Sequence, residues 1–285
     1  MFETKISKIL LGTVQFGMPY GIMNRYGQVP AKEVEDILTT AFNSGIHSLD
    51  TSGDYGDSEQ IIGTIIKNNP TLKFDIYSKN ATDDIEYSFN ESFNRLNSIY
   101  GYSIHYFKTY NDNPSVWDEM RKLKDCGKVK KVGMSIYSPR ELEVLLDKGI
   151  ELDIIQVPSN ILDRRFNSYF EELRKKGVEI HIRSVFLQGL FFKDMDAIPA
   201  SLEAMKKPIT EVQDYCLKRG IAIQDFALNY ILSNNLVSRV LIGVHSCRQL
   251  EENIESLKFN LSKEDLEFVK SLYVSDERML NPSNW

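Results

Sequence analysis

The stretch LGTVQFGMPYG, residues 11–21, decides between two ways of folding this chain as an α/β protein. It follows the apolar pair Ile9 and Leu10 and carries glycines at 12, 17 and 21, where a first strand ends and turns. An open, doubly wound sheet that binds a dinucleotide places G-x-G-x-x-G at this turn, so that the backbone turns tightly and approaches the pyrophosphate. The glycines here stand too far apart for that fingerprint, and the open sheet loses its usual first-turn signature.

Eight short β-branched runs extend outward from this point, at residues 6–14, 46–50, 74–79, 102–107, 131–135, 152–158, 178–186 and 239–244. Amphipathic segments separate them. In AKEVEDILTTAFNSG, residues 31–45, Val34, Ile37, Leu38 and Ala41 recur at helical spacing and Gly45 stands as C-terminal cap. SPRELEVLLDKG repeats the design, from Ser138 as N-cap to Gly149 as C-cap. Eight strand–helix units with near-continuous apolar strands predict an α/β fold of the closed (β/α)8 TIM-barrel type. The expected organisation is a single barrel domain over residues 1–285. It carries extra helices at 224–235 and 263–273 and an irregular C-terminal tail after Tyr273.

The composition sets outer limits on function. With 42% apolar and 26% charged residues the chain is an ordinary folded protein. A formal charge of −6 argues against a non-specific nucleic-acid binder, which needs a basic face. The basic run KVKKV, residues 128–132, reads as a solvated helix end leading into a strand. No apolar run reaches bilayer length and the N-terminus lacks a secretory leader, so the expectation is a cytoplasmic protein with no membrane partner. Cys126, Cys216 and Cys247 are odd in number and widely spaced, which points to buried or half-buried free thiols rather than disulfides or a zinc site. No metal is expected.

Barrels of this kind carry their active sites at the C-terminal ends of the strands. The second run ends at Asp50, inside HSLDTSGDYGDSEQIIG (residues 47–63), and Tyr55 follows in the same loop. The third run ends at Lys79, and the fourth carries His105. Each has a plain structural reading alone: a turn cap, a half-exposed aromatic, a snorkelling lysine, a satisfied strand histidine. Together they suit a single chemistry, with a tyrosine acid, a lysine that favours its phenolate, an aspartate that anchors the lysine, and a histidine donor to a carbonyl oxygen. Asp54, Asp57 and Ser58 in the same loop read as turn and N-cap residues.

LGTVQFG, LDTSGDYGDSEQIIG, SKN, SIHYF, KVGMSIYSPREL, IIQVPSNILDRR, RSVFLQGL and SCRQLEENI follow one another across nearly the whole chain. In that order they resemble the landmarks of the aldo-keto reductase superfamily. The resemblance implies a (β/α)8 barrel that holds NAD(P)H extended and transfers its 4-pro-R hydride to a carbonyl carbon. It implies a catalytic tetrad of Asp50, Tyr55, Lys79 and His105, with Tyr55 as general acid. By motif match, Gly12 and Thr13 supply a backbone contact, and Ser135 and Gln156 hold the carboxamide beside Asp50. Arg183 replaces the tyrosine that many members stack on the nicotinamide, and Ile136 replaces an asparagine. Ser184 and the backbone near Phe186 and Gln188 match the loop around the pyrophosphate. Glu252 and Asn253 match adenine contacts, while Gln249 stands where an arginine often holds a 2′-phosphate. Arg248 is one position off, rotated by about 100° on a helix, and His245 is the compensating group. NADPH is the expected cofactor, with NADH its rival.

The expected activity is NAD(P)H-dependent reduction of a small aldehyde or ketone, with a sugar or sugar derivative suggested by a mixed aromatic and polar lining. Met18, Tyr20, Tyr106, Trp117, Phe191 and Trp285 are the aromatic and sulfur candidates, and Asn24, Lys108, Asn111 and Asn113 the polar ones. They fall in the loop of residues 15–27, the segment after the fourth strand, residues 190–208 and the tail. A cofactor-binding sensor or regulatory subunit on the same barrel is the alternative. A metal-dependent hydrolase is rejected because Lys79 would sit between Asp50 and His105. The segment before KILLGTVQFG is too short for the β-hairpin that plugs the barrel bottom in many relatives. Oligomeric state is not legible.

Overall fold

The structure is a computed structural model describing residues 2–22 and 24–285. Met23, within the loop expected near substrate, lies outside the described residues. Eight strands, β1 (Ile9–Gly12), β2 (Ser48–Asp50), β3 (Asp75–Lys79), β4 (Gly101–Ile104), β5 (Lys131–Ser135), β6 (Ile154–Pro158), β7 (Glu179–Arg183) and β8 (Arg239–Gly243), pair in chain order. Every pairing is parallel, and β8 returns to β1 through Ile9↔Val240 to Gly12↔Gly243. This is the closed (β/α)8 barrel that the alternating pattern predicts.

The strands are shorter than the apolar runs that announce them. The run at 6–14 begins in a one-turn helix, Phe2–Ile6, and ends in another, Val14–Gly17. In a barrel the ladder extends only where staggered neighbours overlap, so flanking apolar residues such as Ile6 and Phe16 pack into the surrounding core instead. No hairpin stands at the N-terminal side among the described residues. The Phe2–Ile6 helix is pinned there by Lys5, whose Nζ donates to Asn229 Oδ1 at 2.7 Å and to the Leu257 carbonyl at 3.0 Å.

The predicted caps form as their chemistry requires. Gly45 and Gly149 take φ of +91° and +66° after the helices Ala31–Asn43 and Pro139–Asp147. Ser138 and Glu141 make a reciprocal capping box. The two extra helices are Ile223–Leu232, which follows Glu203–Arg219 between β7 and β8, and Lys263–Ser271, after the helix Cys247–Ser256. They bury Phe226, Ala227 and Val269 in a second apolar cluster beside the main one. The tail settles into short 3-10 turns, Glu277–Leu280 and Pro282–Asn284. Cys126 is exposed, against the expectation for a buried thiol, because it ends an outer helix that buries only Val116, Trp117, Met120 and Leu123.

Two close approaches fix the loop that leads from β2 into the helix Ser58–Asn68. A Cβ at Gly63 would lie 1.9 Å from the Arg95 carbonyl oxygen, and one at Gly17 only 1.7 Å from the Tyr55 carbonyl oxygen. Both obstacles are backbone, so a methyl group there must move a chain segment. Gly17→Ala is expected to destabilise the protein by about 1–3 kcal/mol and to lower turnover, since the displaced segment carries Tyr55. Urea unfolding and steady-state kinetics on the same variant check both parts.

Candidate active site

Strand register and hydrogen bonds between neighbouring strand ends bring Asp50, Tyr55, Lys79 and His105 to the C-terminal mouth of the barrel. Asp50 ends β2 opposite Gly12 and Tyr77, and Lys79 ends β3 opposite Ser103. His105 is the first residue past β4, and its backbone N–H donates to Asn80 Oδ1 at 2.7 Å. Lys79 Nζ lies 2.6 Å from Asp50 Oδ2, with both side chains at most 3% exposed. A buried ion pair is tolerated only when its remaining valences are met. Here Gln156 Nε2 donates to Asp50 Oδ1 at 2.8 Å, and Lys79 Nζ also donates to the Thr51 carbonyl at 3.0 Å.

Tyr55 lies against this pair, with Lys79 Nζ 5.2 Å from its ring centroid. It meets His105 edge to face, centroids 5.6 Å apart. Burial, then the Asp50 carboxylate, pushes the Tyr55 phenol well above its ordinary pKa, and Arg183 opposes them. Burial pulls the Lys79 ammonium below its ordinary value, and Asp50 resists that shift. The phenol therefore holds its proton at neutral pH, the state an acid needs.

The sequence assigned Asp54 to the turn alone. In the structure its carboxylate Oδ2 lies 3.3 Å from His105 Nδ1, beside Ser52 Oγ at 3.1 Å. Tyr106 stacks on the same imidazole, centroids 4.2 Å apart. Asp57 does precede the helix Ser58–Asn68, but its side chain makes no capping hydrogen bond. The Ser58 hydroxyl is turned inward and donates at 2.9 Å to the Thr13 carbonyl. Thr13 itself is fully buried, its hydroxyl donating to the Asp50 carbonyl at 3.0 Å, and it does not reach the cavity wall.

A cavity of about 460 Å³ opens over Tyr55 and His105. Gly12, Asp50, Ser135, Gln156 and Arg183 line it near Tyr55, followed by Ser184, Phe186 and Gln188. His245, Gln249, Glu252 and Asn253 line the same cavity. Lys79 lies beneath this wall, not on it. The Arg183 guanidinium is stacked 3.9 Å above the Tyr137 ring and donates to the Ile136 carbonyl at 3.2 Å. Arg183 Nε and Gln15 Oε1 are buried without a hydrogen-bond partner among the described residues. Past β7 the backbone holds Ser184, Leu187 and Gln188 at φ of 63°, 46° and 53°, with Gly189 at 92°. Non-glycine residues in this region each cost about 1–3 kcal/mol, and such strain gathers at ligand clamps.

Of the substrate candidates, Tyr20 and Asn24 line the cavity, and Tyr106 covers His105. Trp117 and Phe191 are buried in the two apolar clusters instead. Trp285 donates its indole N–H to the Met279 carbonyl at 2.9 Å. Met18 is 37% exposed, Lys108 is paired with Asp112, Asn111 is exposed, and Asn113 accepts from Ser115. From Trp117 to Asn113, none of these lines the cavity. Sequence reasoning passed over Gln15, Tyr137, Phe192 and Gln224, which do. Gln15 and Tyr137 closely follow the ends of β1 and β5, a position that marks them in a barrel. Among the described residues no group of three or more His, Cys, Asp or Glu is placed to hold a metal ion, and no helix is long and apolar enough to cross a membrane.

Comparison with known proteins adds the chemistry. A family model described as "Aldo/keto reductase family" matches residues 8–274. The chain is 25% identical to the NADH-specific methylglyoxal reductase of Escherichia coli (strain K12), covering 97% of each protein. It is 26% identical to the L-glyceraldehyde 3-phosphate reductase of the same organism, over 83% of this chain and 82% of that one. Among solved structures it is similar to the holo form of an aldo-keto reductase from Bacillus halodurans, with a TM-score of 0.75 at 20% identity over 93% and 91% of the two chains. The chain belongs to the aldo/keto reductase family and is an NAD(P)-dependent oxidoreductase acting on small carbonyl compounds.

Proposed function

We propose that the protein reduces a small hydroxylated aldehyde or ketone, with Tyr55 as proton donor and NADH as preferred cofactor. The observation that carries this reading is the Asp50–Lys79 pair, 2.6 Å apart and buried against the Tyr55 ring at the mouth of the barrel. When bound, the nicotinamide cofactor supplies the hydride. Tyr55 holds a proton for the carbonyl oxygen, and the cation of Lys79 steadies the phenolate left behind. Asp50 keeps Lys79 charged despite its burial, and His105 donates a second hydrogen bond to the same oxygen.

The cavity wall fits an extended dinucleotide. Gln156 and Ser135 would hold the carboxamide, and the Arg183 guanidinium would lie on the nicotinamide face. The left-handed turn at residues 184–189 offers its backbone to the pyrophosphate. Gln249, Glu252 and Asn253 would take the adenosine end.

Two features favour NADH. Gln249 Oε1 accepts from the His245 backbone N–H at 2.8 Å, and Arg248 is 86% exposed and paired with Glu252 at 2.8 Å. A 2′-phosphate at that end would meet the Glu252 carboxylate without a guanidinium lining the wall, whereas a ribose hydroxyl can donate to the same carboxylate. The relatives' names, a methylglyoxal reductase and a glyceraldehyde phosphate reductase, support a short oxygenated substrate, as do Asn24 and Tyr20 on the wall. Cofactor-fluorescence titration should give tighter binding for NADH than for NADPH. Gln249→Arg should improve NADPH affinity about tenfold, the value of one charge-assisted contact. Equal or reversed affinities in the parent protein overturn the cofactor assignment. No turnover across a panel of short hydroxyaldehydes, hydroxyketones and aldoses overturns the substrate class.

A further inference from the structure

His105 Nδ1 faces a carboxylate, Asp54, and a hydroxyl, Ser52, on one side of its ring. An ionised carboxylate only accepts, so Asp54 Oδ2, 3.3 Å from Nδ1, favours a hydrogen on that nitrogen. Ser52 Oγ, 3.1 Å from Nδ1, also reaches the Lys79 carbonyl at 3.4 Å and accepts from the Asp54 N–H at 3.2 Å, so it can take the Nδ1 hydrogen while giving its own to that carbonyl. The ring is clamped by Tyr106 stacked on its face and Tyr55 against its edge. His105 lines the cavity, and among the described residues no protein group hydrogen-bonds Nε2. A neutral imidazole held this way shows a bare lone pair at Nε2 and cannot donate from it.

We propose that Asp54 is a positioning residue of the active site: its carboxylate fixes the hydrogen on His105 Nδ1 and pairs with the imidazolium, so that His105 polarises the substrate carbonyl from Nε2 only when charged. This rests on the reading of His105 as a donor to the carbonyl oxygen. The groups facing the imidazole are Asp50, Asp54 and Tyr55 from β2 and its loop, Lys79 from β3, and Tyr106 beside it. Burial, then Lys79, lowers the His105 pKa, while Asp54 and Asp50 raise it. Tyr55 stays neutral, and so does Tyr106, pushed up to about 12 by burial first and then by Asp54. Neither phenol titrates near neutrality. Reduction should therefore be strong at acid pH and fall as pH rises through the His105 pKa. Without the Asp54 charge the same fall should come at lower pH.

Two measurements test this. Nitrogen-15 NMR of the resting protein reports the tautomer, with His105 assigned by its loss in His105→Gln while His47, His181 and His245 remain. The expected neutral ring is protonated at Nδ1, and Asp54→Ala should lose that preference. A neutral parent ring protonated at Nε2 overturns the proposal whether or not any carbonyl is turned over, so its failure is separate from that of the functional reading. In kinetics, Asp54→Asn should move the alkaline fall of kcat/KM about one pH unit toward acid. That is about tenfold less activity above the midpoint and parental activity well below it. Asp54→Glu should restore most of the difference. A uniform loss at every pH, unrelieved by Asp54→Glu, would mean that Asp54 only shapes the loop, and the proposal would fall.

Discussion

Replacing Tyr55 with phenylalanine is expected to lower kcat for carbonyl reduction about 10³-fold while leaving NADH affinity unchanged. The substitution removes one hydroxyl and keeps the ring that packs against His105. Tyr55 is the cavity phenol that keeps its proton against the buried Lys79 ammonium. In this scheme His105 contributes a hydrogen bond to the carbonyl oxygen, and the Tyr55 phenol gives the proton. Single-turnover kinetics with saturating NADH isolates the chemical step from product release. Parental rates in that assay would remove Tyr55 from the role of acid.

Lys79→Met should have the largest effect on folding, about 3–5 kcal/mol lost in chemical denaturation, together with loss of turnover. The methionine fills similar space but leaves the Asp50 carboxylate buried, with Gln156 Nε2 at 2.8 Å as its remaining side-chain donor. The double variant Asp50→Asn, Lys79→Met removes both charges, and should recover much of the stability without recovering activity. The difference between single and double variants separates the cost of an orphaned charge from the loss of packing. Equal stability for the parent and the single variant would mean that Asp50 does not depend on Lys79 for its burial.

The barrel was legible because its evidence is periodic and repeated. Eight apolar runs, the caps at Gly45 and Gly149, and the capping box at Ser138 depend on near neighbours in the chain. The strand ends were readable for the same reason, which is how Asp50, Lys79 and His105 came to be singled out. The partner of His105 was not readable. Asp54 precedes Tyr55 directly and has the letters of a turn, and only the fold of the loop carries its carboxylate across to the fourth strand. Trp117 and Phe191 went the other way: their size suggested a binding surface, and burial in the apolar clusters claimed them. Composition cannot separate those two fates, because both reward large apolar area.

The register of the last strand has a consequence for how the protein is made. Asp50, Lys79 and His105 all precede residue 106, whereas Ser135, Gln156, Arg183 and the residues up to Asn253 follow it. Gly12 and Gly243 become partners only when β8 reaches β1. A nascent chain therefore carries every proposed proton-handling group long before it has a wall against which a cofactor can rest. On the proposed roles, chemistry would await closure of the ring by the final strand, and a partly synthesised protein would hold these side chains with no reductant bound beside them.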